Sequence, residues 1–274
     1  MPGFRYSLNS STIKPTPIVE KIRIAAESGY EGIELWHADI DLHIEQGGSL
    51  KEIRRAIDES GLEVPTTVML KGWCEPDGPA DSEGMVECRR RMEHSVALGA
   101  RHAVAGPPHS GVDFELAAER YARLLETGLS MGVRPAMEYL GFAREVNSID
   151  DALRIMLGSK HPEATIVLDP FHDFRGGGGH ESIAKLTAKQ IAVCHFDDAP
   201  ANPPPQEQHD PDRVMPGEGV IDLKRFVALL RQVGYEGFIS LELFREDLWQ
   251  SDPLQVAQAG LAAMKHICES KEGD

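Results

Sequence analysis

The fold class the sequence predicts is α/β, a single-domain (β/α)8 TIM barrel, and three observations predict it. The chain has 274 residues, a length typical of one such barrel and short for two ordinary enzyme domains. Short apolar or alternating runs are followed, eight times over, by longer segments of helical period, which is how βαβ units of a parallel sheet read. Each unit takes about 34 residues, a spacing that suits eight units better than the roughly five to seven strands of a doubly wound sheet. No linker interrupts residues 1–274, so one domain is expected.

Taken in order, the first strand is Arg5–Leu8, and the helix behind it, Ile18–Glu27, carries apolar residues at Ile18, Val19, Ile22 and Ala25 before the glycine stop Ser28-Gly29. The second strand is Gly32–Leu35; helix Leu50–Ser60 opens behind Ser49 and closes at Gly61. Val64–Leu70 is the third strand, and the helix around Met85–Leu98 closes at Gly99. His102–Ala105 is the fourth, followed by Phe114–Met131 and its stop at Gly132. Arg134–Leu140, Thr165–Asp169, Ile191–Phe196 and Phe238–Phe244 are strands five to eight, with helix Leu223–Val233 ending at Gly234 before the last. Two connections depart from this rhythm. Residues 199–217 include Pro203-Pro204-Pro205 and show neither period; irregular loops beyond about 12–15 residues are usually functional or disordered, and in a barrel this one lies over the catalytic face. Gly176–Gly179 reads as a flexible turn, since no Lys or Ser completes a phosphate-binding loop.

Composition narrows the function. Lys and Arg number 28 against 44 Asp and Glu, a formal charge of −16, which repels nucleic acid and anionic membranes and concentrates cations. Cys74, Cys88, Cys194 and Cys268 form no C-x-x-C pair and read as reduced thiols of a cytoplasmic protein. The N-terminus lacks the pattern of a signal peptide, and no apolar run approaches the roughly 20 residues of a membrane span.

Strands of a parallel barrel are buried on both faces and should be almost continuously aliphatic. Four break that rule near their C-terminal ends: Ala136-Met137-Glu138-Tyr139-Leu140, Ile166-Val167-Leu168-Asp169, Ala192-Val193-Cys194-His195-Phe196 and Ser240-Leu241-Glu242-Leu243-Phe244. Side chains alternate faces, and the large apolar neighbours of each ionisable residue claim the helix-facing side. Glu138, Asp169, His195 and Glu242 are left pointing into the barrel, at the end where active sites lie. Singly, each could be a paired structural group. Together they come from four adjacent strands. Three carboxylates about 4 Å apart repel by about 4 kcal/mol per pair at an effective dielectric near 20, and no basic residue lies in these segments. One divalent metal ion, Mn2+, Mg2+, Co2+ or Zn2+, removes the conflict and suits the donor set.

At these residues the sequence resembles the xylose isomerase-like TIM barrels, the sugar isomerase and epimerase group, and within it the inosose (2-keto-myo-inositol) isomerases. The likeness rests on Met137-Glu138-Tyr139-Leu140-Gly141, Leu168-Asp169-Pro170-Phe171-His172, His195-Phe196-Asp197-Asp198, the run Asp212 to Asp222 with its Pro216-Gly217-Glu218-Gly219, and Ser240-Leu241-Glu242-Leu243-Phe244-Arg245. It is specific from Glu138 to Asp252 and only architectural before that. The resemblance implies a metal held by Glu138, Asp169, His195 and Glu242. It places His172 at substrate oxygens and Arg213 beside the substrate or the metal ligands. It implies proton transfer α to a carbonyl of a keto-sugar or keto-inositol through a metal-stabilised enediolate, with Glu138 and Glu242 as acid and base in either order. Trp36 and His37, after the second strand, are further candidates to contact a sugar or polyol, and Trp73 and His109 follow them; His43, His94, His161, His180 and His266 read as surface residues. The group also allows a homo-oligomer. A dehydratase or lyase on an inosose or a 3-keto-glycoside would use the same residues, and a non-catalytic sugar-binding barrel is the third reading. An apurinic endonuclease of this fold is disfavoured by the absence of histidine in Val64–Leu70, by Asp210-Pro211-Asp212, and by the negative charge. A xylose isomerase is disfavoured by the lack of a lysine in strands five to eight.

Overall fold

The computed structural model describes residues 3–74 and 82–270. Eight strands close into a barrel in sequence order: β1 (Arg5–Asn9), β2 (Gly32–Trp36), β3 (Thr66–Leu70), β4 (His102–Ala105), β5 (Arg134–Met137), β6 (Thr165–Leu168), β7 (Ile191–Phe196) and β8 (Phe238–Leu241). Each pairs in parallel with its neighbours, and β8 returns to β1 through Arg5 opposite Phe238 and Leu8 opposite Leu241. Around them lie α1 (Ile18–Ser28), α2 (His37–Glu45), α3 (Leu50–Ser60), α4 (Glu83–Leu98), α5 (Phe114–Met131), α6 (Ile149–Gly158), α7 (Pro170–Gly176), α8 (Leu223–Gln232), α9 (Glu246–Trp249) and α10 (Pro253–Glu269). No helix among the described residues is long and apolar enough to cross a membrane.

Local chemistry explains the boundaries. α3 begins in a capping box, Ser49 accepting from Glu52 N while the Glu52 carboxylate accepts from Ser49 N, and ends at Gly61 in the left-handed region (φ 70°). Asp222 caps α8 through Arg225 N. Several strands are shorter than the sequence pattern suggests. β3 starts at Thr66 rather than Val64, because Pro65 has no N–H to give the ladder. β5, β6 and β8 stop at Met137, Leu168 and Leu241, so Glu138, Asp169 and Glu242 each stand one residue beyond a strand. Beyond β6 and β8, side chains replace the ladder, while Glu138 N still donates to Ala105 O. The Tyr139 hydroxyl accepts from Asp169 N and donates to Asp169 O, both at 2.9 Å, and the Thr12 hydroxyl donates to Leu241 O and accepts from Leu243 N.

The core has two parts. A large shell packs the outer strand faces, with Leu8, Ile33, Leu35, Met137, Leu168, Phe196 and Leu241 among its members, against the helices. A smaller cluster fills the lumen: Val68, Val104, Ala136, Val167, Val193 and Phe238. This second set fixes the parity of the barrel. Two residues on from Ala136, Val167 and Val193, on the same face, come Glu138, Asp169 and His195; Glu242 follows Phe238 by four. The apolar plug therefore forms the floor beneath the ionisable residues.

The long connection after β7 is held by a bridge and by side chain–backbone hydrogen bonds. Asp198 pairs with Val214 in an antiparallel bridge, and its carboxylate accepts from the backbone N–H groups of Ala199, Gly217, Gly219 and Ile221 at 2.8–3.1 Å. Buried Gln208 donates to the carbonyls of Pro200 and Pro203, and Arg175 donates to those of Gln206 and Gln208. The loop, which shows neither period in the sequence, is held at both ends and near its middle by hydrogen bonds to its backbone. Gly219 is required by close approach, since a Cβ there would stand 2.3 Å from Ala199 O and Asp198 Oδ1. The glycine run after the sixth strand closes a helix: Gly176 ends α7, Gly177 caps it at φ 76°, and Gly178 N donates to Asp173 O.

Candidate metal and catalytic site

Glu138, Asp169, His195 and Glu242 converge at the C-terminal mouth of the lumen, each no more than 3% exposed. His195 Nδ1 lies 3.3 Å from Glu138 Oε1, 3.5 Å from Asp169 Oδ2 and 3.2 Å from Glu242 Oε2. None of these approaches is an aligned hydrogen bond, and both imidazole nitrogens are buried without a hydrogen-bond partner. Ligand atoms of Asp169, His195 and Glu242 all lie within 4.8 Å of one another, and so do those of Glu138, Asp169 and His172. A buried imidazole facing three carboxylate oxygens at ligand-sharing distances fits a divalent cation.

Arg213 reaches into the same cluster from the long loop and is 1% exposed. Its Nη1 donates to Asp169 Oδ2 at 2.9 Å, to Glu242 Oε2 at 3.2 Å and to Asp197 Oδ2. Nη2 donates to Asp210 Oδ1 at 3.0 Å and lies 3.1 Å from His172 Nε2. The guanidinium carbon stands over the rings of Phe171 and Phe244, 4.7 and 5.3 Å from their centroids. His172 sits in the first turn of α7, which Asp169 caps by accepting from His172 N at 2.8 Å.

Electrostatics divides the acids. Burial pushes Glu242 well above the ordinary carboxyl range, reinforced by Glu138 and Asp169 against the pull of His195 and Arg213. Burial and Asp169 carry Asp197 up to about 8 despite Arg213. Burial works on Asp169 in the same direction, but Arg213, His172 and His195 overcome it and hold that carboxyl well below its usual range. Burial lowers His172, and Arg213 adds to the effect. Five buried carboxylates, counting Glu34, face one arginine and two histidines. Carboxyl groups outnumber the basic groups where a cation would fit.

Three of these residues escape the strand-end argument. Glu34, fully buried on β2, places Oε2 3.5 Å from His195 Nε2. Asn9, at the end of β1, donates from Nδ2 to Glu242 Oε1 at 2.9 Å and to Glu34 Oε2 at 3.3 Å. Asp197 binds Arg213 and accepts from Phe171 N. The signal for Glu34 was available, a carboxylate between Ile33 and Leu35 in a buried strand. Asn9 is neutral and leaves no such mark.

Trp36 and His37 go to different places. The Trp36 indole donates to Asn9 Oδ1 at 2.8 Å and stands edge-on to Phe244, so it borders the site. His37 packs instead toward His94 of α4, ring centroids 6.3 Å apart, with no contact to the cluster among the described residues. Alternation accounts for the split: Trp36 shares the inward parity of Glu34, and His37 does not. Trp73 is core, its indole donating to Gly106 O. His109 is exposed and stacks on Phe142, which meets His172 edge-on. His180, expected at the surface, is half-buried and bonded to Asp173 at 2.9 Å.

His37 carries a pH prediction. Burial lowers its pKa to about 3, and Arg91 and His94 push the same way. The unfolded chain takes up a proton near pH 6.5 while the folded chain does not until about pH 3. Its contribution is therefore complete above pH 6.5 and is lost on acidification, by about 1.4 kcal/mol per pH unit between those limits. Urea unfolding at pH 7.5 and 5.5 should show wild type losing roughly 1 kcal/mol more than His37→Leu. Equal losses would contradict this.

A sequence model of the xylose isomerase-like TIM barrel family matches residues 22–267. An inosose isomerase of Halalkalibacterium halodurans is 25% identical over 248 residues, 88% of each chain. A 3-dehydroshikimate dehydratase of Pseudomonas aeruginosa is 25% identical over 261 residues, 91% of this chain and 40% of that one. Among solved structures, one described as the IolI protein with a bound zinc atom superposes with a TM-score of 0.90 at 23% identity, covering 97% of this chain and 98% of the other.

Proposed function

The chain belongs to the xylose isomerase-like TIM barrel family, and on that premise we propose that it is a metal-dependent isomerase or epimerase of a keto-sugar or keto-inositol, working by proton transfer at the carbon beside a carbonyl. The observation that carries the reading is the convergence of Glu138, Asp169, His195 and Glu242 around the unpaired nitrogen of His195. Similarity to inosose isomerases along most of the chain supports the reaction class.

Glu138, Asp169, His195 and Glu242 would hold Mn2+, Mg2+, Co2+ or Zn2+. A divalent ion, when bound, supplies positive charge beside the substrate oxygen that becomes negative as the proton leaves. Glu138 and Glu242 both approach His195 Nδ1, at 3.3 and 3.2 Å, and each offers a carboxylate to take or return a proton. They are not equivalent. Glu242 is clamped through both oxygens, by Asn9 on Oε1 and Arg213 on Oε2. Glu138 has no side-chain hydrogen bond among the described residues; it approaches His195 Nδ1 at 3.3 Å and shares a cluster with Asp169 and His172. His172 and Arg213 present N–H groups beside the acids and would orient substrate hydroxyls. Trp36 offers an aromatic wall for the polyol ring.

Incubating the protein with Mn2+ and inosose in D2O tests the reaction. The expected result is deuterium in a product of otherwise conserved mass. The similarity to 3-dehydroshikimate dehydratases favours one alternative, expulsion of a β-hydroxyl after the same proton abstraction, and a product lighter by one water would establish it. Binding with neither exchange nor water loss would leave a sugar-binding barrel and overturn the enzymatic reading.

A further inference from the structure

We propose that Glu34 is a positioning residue that fixes the tautomer and orientation of His195, so that Nδ1 presents a lone pair to the ion site. The proposal rests on the functional reading only in requiring that this site hold a divalent ion.

A neutral imidazole carries one N–H, and a histidine that binds metal must turn its other nitrogen to the ion. In most metal sites a carboxylate or carbonyl beyond the ligands accepts the remaining N–H and decides which nitrogen is free. Here the two faces of His195 differ in kind. Nδ1 looks onto Glu138, Asp169 and Glu242 at 3.2–3.5 Å. Nε2 looks onto one carboxylate, Glu34, at 3.5 Å. Glu34 belongs to β2, across the lumen from β7, and nothing in the local pattern of that strand calls for an acid between Ile33 and Leu35.

The carboxylate of Glu34 is itself held in place. Its Oε1 accepts from the Thr66 hydroxyl on β3, and Oε2 accepts from Asn9 Nδ2. The Asn9 amide cannot turn over without loss, because its Oδ1 already accepts from Trp36 Nε1 at 2.8 Å and from Ser11 N at 3.1 Å. The same Nδ2 steadies Glu242 Oε1. Strands β1, β2 and β3, which supply none of the four candidate ligands, thus form a buried polar brace behind two of them.

Two measurements decide the matter. Zn2+ affinity is compared between wild type and Glu34→Gln by chelator competition; the amide is a weaker acceptor and adds a donor competing at Nε2. The variant should bind about 10- to 100-fold more weakly, the range seen when such outer partners are removed. In the zinc-loaded wild type, 15N-histidine NMR should show His195 protonated at Nε2 and ligating through Nδ1, with the resonance assigned by its loss in His195→Gln. This second readout needs no foldable Glu34 variant, and it reports which nitrogen keeps the proton rather than whether the fold holds. Zinc affinity within threefold of wild type in Glu34→Gln, or His195 protonated at Nδ1, overturns the proposal while leaving the functional reading in place. A wild type that binds no Zn2+ overturns both.

Discussion

Replacing Glu138 by glutamine should lower the rate of substrate C–H exchange by roughly 10^3-fold without lowering thermal stability. The size follows from removing one member of a general acid–base pair, which typically contributes about 10^2- to 10^4-fold. The stability claim follows from the surroundings. The Glu138 side chain makes no hydrogen bond among the described residues, and it stands among Asp169 and Glu242, whose charges it opposes. An isosteric neutral amide relieves that repulsion in the metal-free protein. Glu242→Gln should differ in kind. Its two oxygens accept from Asn9 and Arg213, so an NH2 group in either place meets a donor. That variant should lose activity to a similar degree and also roughly 1–3 kcal/mol of stability, the cost of an unmade buried hydrogen bond. Exchange rates by NMR in D2O and melting curves for the two variants separate these outcomes. Exchange by Glu138→Gln within tenfold of wild type would remove Glu138 from proton transfer.

Arg213→Met should be the most destabilising single change at the site. Arg213 is fully buried and makes ion pairs with Asp169, Asp197, Asp210 and Glu242. Methionine retains most of the volume beside Phe171 and Phe244 but leaves buried carboxylates without their nearest cation. Breaking such a network by removing one partner typically costs about 3–5 kcal/mol, or a fall in Tm of roughly 6–20 °C for a domain of this size. Arg213→Lys keeps the charge and loses the planar fork, and should fall between the two. Mn2+ should restore part of the lost stability in Arg213→Met, because the ion supplies positive charge to two of the same carboxylates. A Tm within 2 °C of wild type for Arg213→Met would show that the cluster does not depend on this cation.

Much of the candidate site could be read from the strands, and the reason is physical. A parallel strand buried on both sides tolerates an ionisable residue only with a compensating partner, so Glu138, Asp169 and His195 stand out against Met137, Leu168 and Cys194. The alternation that aims them inward is the same one that lines the lumen with Ala136, Val167 and Val193. Glu34 breaks the same rule on β2 but lies more than 100 residues from the rest of the group, and only barrel closure brings β2 within reach of β7. Asn9 carries no charge and so gives no warning. His37 shows the opposite failure: a functional residue type next to a functional strand end, but of the wrong parity. The hydrogen bonding of the long loop leaves few signs in the sequence because Asp198, Gln208 and Arg175 hold it through backbone groups, which composition does not reveal.

The central claim is that Glu138, Asp169, His195 and Glu242 bind one divalent ion. Elemental analysis of protein equilibrated with Mn2+ or Zn2+ and then freed of excess metal tests it most directly, run beside an Asp169→Asn, His195→Gln double variant shown by circular dichroism to be folded. The expected result is one ion per chain in wild type and less than a tenth of that in the variant. Wild type without metal, or a variant that retains as much as wild type, would contradict the claim.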